Sequence, residues 1–181
     1  MSLSQGSSAL QINPMRQVRL GKVVVNIAVG KSGEALEKAM KVLADLTGCK
    51  PCPRKAKKTI KTFGVRKGEP IACISTLRGD KAWAFLKRAF EAVRNRLPIS
   101  AFDEIGNISF GVKEHIEVPG TKYDPNLGIY GFNVHITLER PGFRVKRRSL
   151  KRGKVGKGHV VTREEALSFV KDGFGVEVVE E

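Results

Sequence analysis

Residues 130–138 read YGFNVHITL, and their alternation decides the fold class. Phe132, Val134, Ile136 and Leu138 fall on one side of a strand, and Asn133, His135 and Thr137 on the other. Successive side chains of a strand point to opposite faces, so the pattern describes a sheet with one face packed and one open. The same phase recurs upstream. KVVVNIAV at 22–29 sets Val23, Val25, Ile27 and Val29 against Lys22, Val24, Asn26 and Ala28, and 71–78 sets Cys73, Ser75 and Leu77 against Ile74, Thr76 and Arg78. A further strand is expected over 107–112 and a weak one around 59–63. Two amphipathic helices separate the strands. The first carries Leu36, Ala39, Met40, Leu43 and Leu46, with Ser32 as its expected cap and Gly48 as its end. The second, capped by Asp80 and stopped by Pro98, carries Trp83, Leu86, Phe90, Val93 and Leu97. The order β-α-β-β-α-β-β predicts an α+β fold, a largely antiparallel sheet with helices packed on one face, plus basic loops and a C-terminal arm.

Domain organisation follows from texture. Residues 1–15 are polar and expected to be mobile unless docked, and 16–181 are expected to form a single α+β domain. Within it, 140–159 reads RPGFRVKRRSLKRGKVGKGH, with four glycines and no acidic residue, which predicts an arm that does not pack alone and is ordered by RNA. The chain then closes with a helix opened by the capping box Thr162 to Glu165.

The 181 residues are 41% hydrophobic, enough for one core, and carry 33 lysines and arginines against 18 acidic residues. A formal charge of +15 opposes compaction unless a polyanion neutralises it, so nucleic acid is the favoured partner. No stretch approaches the roughly 20 apolar residues that span a bilayer, and the N-terminus lacks a basic region followed by an apolar core, so neither membrane nor secretion is expected. Three cysteines argue against a disulfide framework. Cys49 and Cys52 form a C-x-x-C, but Cys73, His115, His135 and His159 do not complete a zinc spacing, so no metal or cofactor is expected. Gly30-Lys31-Ser32 resembles the end of a phosphate-binding loop, yet the position that needs the first glycine is Val25. No nucleophile elbow surrounds any histidine, and the reading is that of a protein without catalytic residues. An enzyme using Cys49 or Cys73 as nucleophile is the rival from another class.

The basic segments carry the functional argument. No acidic residue stands between Asp45 and Glu69, while Lys50, Arg54, Lys55, Lys57, Lys58, Lys61, Arg66 and Lys67 all do. Solvated faces ordinarily mix signs, whereas cations that meet phosphates release condensed counterions and bind. RNA is favoured over DNA because both helices look core-packed and the open face can offer hydrogen bonds from Asn26, Thr76, Asn133 and Thr137 to sugars and bases. An ordinary RRM is disfavoured, since Phe132 shares the core phase.

Several stretches, in order, resemble one known family: KVVVNIAVG (22–30), TGCKPCPRKAKKTIKTFGVRKGEPIACISTLRG (47–79), GNISFGVKEH (106–115) and YDPNLGIYGFNV (123–134). It is the universal 5S-rRNA-binding protein of the large ribosomal subunit, and RPGFRVKRRSLKRGKVGKGH with TREEALSFV (162–170) resembles its archaeal and eukaryotic branch. The resemblance implies a structural constituent of the cytoplasmic ribosome that anchors 5S rRNA in the central protuberance. It implies as partners 5S rRNA, 23S-type rRNA, peptidyl-site tRNA, a small-subunit head protein at an intersubunit bridge, and other 5S-associated ribosomal proteins. Together with the strand phase it places Lys22, Asn26, Lys50, Arg54, Lys57, Lys58, Thr59, Thr76, Arg78, Asn133, His135 and Thr137 against 5S rRNA. Phe63, Arg66, Lys67 and Gly68 become a loop near tRNA. Arg144, Lys146, Arg147, Arg148, Lys151 and Arg152 become rRNA contacts of the arm, and Tyr123, Asp124 and Asn126 candidates for the bridge. Cys49 departs from the bacterial pattern, which has glutamine there, so no side-chain contact is carried over at that position. A general RNA-binding module outside the ribosome is the alternative reading.

Overall fold

The computed structural model describes residues 13–179, so the expectation for the first residues falls almost wholly outside the described part. Seven strands run β1 (Arg19–Ala28), β2 (Cys52–Lys55), β3 (Pro70–Leu77), β4 (Arg96–Pro98), β5 (Asn107–Val112), β6 (Phe132–Glu139) and β7 (Glu177–Val179). The α-helices are α1 (Glu34–Thr47), α2 (Asp80–Ala92), the single-turn α3 (Arg144–Arg147) and α4 (Arg163–Phe174).

Five strands form one antiparallel sheet in the order β2-β3-β1-β6-β5, and β4 pairs in parallel with β7 in a separate ribbon. The packed face is the one the alternation predicts. Val23, Val25, Ile27, Cys73, Leu77, Phe132, Val134, Ile136 and Leu138 are buried, and β5 adds Ile108, Phe110 and Val112. α1, α2 and α4 supply Leu36, Ala39, Leu43, Leu46, Phe85, Leu86, Phe90, Ala166 and Val170 to the same core. Phe90 stacks on Phe110 at 5.3 Å and meets Phe174 edge-on at 5.0 Å, so α2 is wedged between β5 and α4. Ser75, the polar member of the packed phase, lies 3.2 Å from the Thr47 hydroxyl, which removes the cost of burying it unpaired.

The element ends differ from the sequence expectations, each for a local reason. The weak strand near 59–63 is a 3-10 turn at Lys61–Phe63 beside a bridge between Ile60 and Val65, and the strand stands earlier, as β2. β2 is an edge strand, which is where Pro53 can be accommodated. Ser32 does not cap α1. Gly33 holds that position at φ +94°, and the Ser32 hydroxyl donates instead to Glu69 Oε1 at 2.5 Å, a charged acceptor brought in from the far end of the basic loop. Gly79 likewise precedes α2, with Asp80 inside its first turn. α2 stops at Ala92, well before Pro98, because Arg94 and Asn95 adopt left-handed φ of 57° and 54° and swing Leu97 into the core from β4. The Thr162 capping box forms as expected.

The arm also departs from expectation. Its two ends are tied together: Arg140 is buried, donates to the Gly158 carbonyl at 3.2 Å and pairs with Glu165 on α4, while His159 Nε2 lies 2.7 Å from the Pro141 carbonyl. Between them α3 forms, and Gly153 N–H closes on the Val145 carbonyl at 3.2 Å. A segment without acids packs here because its acids come from elsewhere, Glu165 on α4 and Glu139 on β6.

Candidate nucleic-acid interface

The site is the sheet face opposite the core helices α1, α2 and α4. Strand register fixes which side chains lie side by side on it. Asn26 of β1 stands opposite Ile74 of β3 and Asn133 of β6, and Cys52 of β2 extends the same row. In the next row Thr76, Val24, His135 and Ser109 follow one another, and in the third Lys22, Thr137 and Asn107. Thr76, Asn133 and His135 are exposed, and Lys22, Asn26 and Thr137 half-buried. Ser109 Oγ lies 3.0 Å from His135 Nδ1, which anchors the imidazole on the face with Nε2 left for a ligand.

Asn107 and Ser109 are the members sequence reasoning missed. Their signal was the alternation of NISFGV, legible once β5 is known to lie beside β6. No Phe, Tyr or Trp stands among these rows, since Phe132 is buried in the core. The face therefore works by hydrogen bonds and van der Waals contact with sugars and base edges, not by stacking.

Gly21 shapes one border. It is the bulge residue between Leu20 and Lys22, and a Cβ there would lie 2.7 Å from the Glu139 carboxyl carbon. The carboxylate lies over this gap and pairs with Arg147 of the arm at 2.6 Å.

The remaining predicted residues separate by end of the sheet. At the end where β1 finishes and β3 begins, the loop 56–69 projects with Lys57, Lys58, Thr59, Phe63, Arg66, Lys67 and Gly68 all exposed. Phe63 leaves 77% of its surface in solvent at the tip. The loop is closed at its base by reciprocal backbone bonds, Ala56 N–H to Glu69 O at 2.8 Å and Gly68 N–H to Ala56 O at 2.9 Å. Lys67 N–H donates to Thr59 Oγ1 at 3.0 Å, so Thr59 braces the loop with its oxygen and has its hydroxyl proton to offer. Glu69 accepts from Arg66 N–H at 3.0 Å and from Ser32, and these bonds hold its carboxyl below the usual glutamate range.

Arg54 of β2 stands on the edge strand beside Ala72, and Lys50 precedes the start of that strand, away from the loop. Tyr123, Asp124 and Asn126 leave the same end of the sheet as the loop, on the exposed β5–β6 connection, where Asp124 accepts from Asn126 N–H at 2.9 Å. They are not on the sheet face. Arg78 follows β3 at the opposite end, where the arm lies with Arg144, Lys146, Lys151 and Arg152. Arg147 is engaged by Glu139, and Arg148 Nε donates to the Lys151 carbonyl at 2.6 Å, so both help shape the arm.

Of the two candidate nucleophiles, Cys73 is out of reach of solvent and Cys49 is half-buried. Cys73 is buried and burial pushes it up to about 11, which disfavours the thiolate a nucleophile needs. Among the described residues no group of three or more His, Cys, Asp or Glu side chains could hold a metal ion, and no helix is long and apolar enough to cross a membrane.

An α+β sandwich with one polar face free of core helices, bordered at both ends by basic segments, has the chemistry that RNA-binding proteins use. Comparison with known proteins makes the class specific. The family described as Ribosomal protein L5 matches residues 13–66, and the C-terminal model of the same ribosomal family matches residues 70–169. Large ribosomal subunit protein uL5 of Sulfurisphaera tokodaii is 54% identical over 170 residues, covering 93% of this chain and 96% of the relative. That of Aeropyrum pernix is 55% identical over 168 residues, covering 92% and 88%, and that of Nitrosopumilus maritimus 48% over 166 residues, covering 92% and 96%. The chain belongs to the ribosomal protein L5 family. It is thus a structural component of the ribosome and not an enzyme.

Proposed function

We propose that the chain binds 5S rRNA through its uncovered sheet face and anchors it in the central protuberance of the large ribosomal subunit. The observation that carries this reading is the row structure of the face: Asn26, Asn133, Thr76, His135, Thr137 and Lys22 lie side by side with Asn107 and Ser109 on the side away from the core helices, with the arm bordering only the third row. Lys50, Arg54, Lys57 and Lys58 at one margin, with Arg78 at the other end, supply phosphate contacts, which set orientation while the face supplies discrimination. Residues 16–181 act as one RNA-binding unit that includes the arm.

The two ends then take different partners. The loop at 63–68, with Arg66 and Lys67 near an apolar Phe63 tip, reaches toward peptidyl-site tRNA, and the turn of Tyr123, Asp124 and Asn126 faces a small-subunit head protein. The arm, at the opposite end, contacts 23S-type rRNA through Arg144, Lys146, Lys151 and Arg152, with other 5S-associated proteins nearby.

The test separates the surfaces. Asn26→Ala with Thr76→Ala should weaken 5S rRNA binding by about 1 kcal/mol or more, the scale of hydrogen bonds lost from a desolvated interface. Arg66→Ala with Lys67→Ala should spare 5S rRNA and weaken tRNA placement on the assembled subunit. Full 5S rRNA affinity in the first variant, or its loss in the second, would overturn the assignment.

A further inference from the structure

A cleft of about 1020 Å³ opens between the arm and the margin of the sheet face. That is at the upper end of the roughly 300–1,000 Å³ typical of sites that enclose a small molecule. One wall is the third row of the face, Lys22, Thr137 and Asn107, and the other is the arm. Apolar side chains line it as well: Phe143, Val155 and Val160, with Ile105, 53% exposed, beside them.

Its charge is lopsided. Lys22, Lys146, Arg147, Arg152 and Lys154 line it, against the single carboxylate of Glu139, which Arg147 already pairs with at 2.6 Å. Cationic side chains beside apolar and aromatic ones are what one nucleotide of an unpaired strand needs, the cations for its phosphates and the aromatic ring for its base. Phe143 supplies the aromatic ring that the sheet rows lack, and it is steadied from one side by His159, whose ring centroid lies 5.9 Å away. The buried Arg140, bonded to Glu165 and to the Gly158 carbonyl, ties the two ends of the arm that forms this wall.

We propose that this cleft captures an unstacked nucleotide of a single-stranded RNA segment, with its base against Phe143 and its phosphates on Lys146, Arg152 and Lys154. The proposal rests on the RNA-binding reading and adds to it a pocket that distinguishes unpaired from paired RNA.

The full chain would be titrated with a short adenosine-rich RNA strand, and with the same strand annealed to its complement. Wild type should prefer the single strand. Phe143→Ala should lose about tenfold on the single strand, the scale of one base–aromatic contact, with duplex binding unchanged. Phe143→Trp should restore it. Phe143→Leu keeps the packing against His159 and should behave as the alanine variant does, which separates stacking from collapse of the arm. In wild type, a 4-thiouridine placed in the single strand should crosslink to the 143–155 segment. Equal single-strand binding by wild type and both the alanine and leucine variants, or equal losses on strand and duplex, would overturn the cleft. Wild-type 5S rRNA affinity, measured in the same series, keeps the two ideas apart. Intact 5S binding with no Phe143 effect removes only the cleft, while lost 5S preference with the Phe143 effect present removes only the 5S assignment.

Discussion

At the scale of single residues, burial and hydrogen bonding decide which groups remain available. Cys73 sits in the packed phase of β3 and is fully buried, whereas Cys52, one residue before Pro53 on the edge strand, is exposed. Iodoacetamide at neutral pH should therefore modify Cys52 in the native chain and reach Cys73 only after denaturation. Rapid native labelling of Cys73 would contradict the packing and revive a reactive-thiol role. Glu69 offers a second residue-scale test. Its carboxylate accepts from Arg66 N–H and from Ser32, and these bonds lower its pKa. A carboxylate with a lowered folded pKa contributes its stabilisation above the unfolded value and loses it as pH falls through the folded one. The clasp should accordingly be intact at neutral pH and open only below the ordinary glutamate range. Glu69→Ala should speed exchange of the Arg66 amide several-fold at pH 7 while leaving core amides unchanged, and an unaltered Arg66 amide would show that the clasp does not order the loop.

At the scale of elements, β1, β3, β5 and β6 were legible because a period-two pattern of Val, Ile, Leu and Phe against Asn, Thr and His reflects one dry face and one wet one. β2 was not, because CPRK carries no apolar alternation and owes its strand geometry to pairing with β3 alone. The ends of α1 and α2 were misplaced by a residue or more where glycine, Arg94 or Asn95 takes a positive φ that follows from the turn needed, not from a capping side chain. The arm was hardest to read, since its order depends on Arg140 meeting Glu165 across 25 positions of sequence. Of the candidate site, the phase of Asn26, Thr76, Asn133, His135 and Thr137 could be read directly, whereas Ser109 and Asn107 needed the strand order, which local patterns do not encode. The arm yields a prediction of its own. Arg140→Ala should cost about 1.5–3 kcal/mol, the scale of a hydrogen bond to a charged group, and should raise amide exchange across 142–159. Exchange confined to the level of wild type would mean the arm is held by other contacts.

At the scale of the whole molecule, the sheet sorts the charge. A surplus of +15 is not spread evenly: one basic loop and the bridge candidate leave one end of the sheet, the arm covers the other, and the polar face lies between. That arrangement suits a protein wedged among RNA segments, with cations supplying long-range affinity and the face supplying selectivity. The two contributions respond differently to salt, because counterion release weakens with ionic strength while desolvated hydrogen bonds and shape contacts largely persist. The most direct test of the central claim is the affinity of the purified chain for 5S rRNA, in competition with an unrelated RNA of similar length, at low and at raised salt. Preference for 5S rRNA should be present at low salt and should hold or grow as both affinities fall. If the two RNAs compete equally and decline together, the chain recognises RNA only as a polyanion, and specific anchoring of 5S rRNA by the uncovered face is wrong.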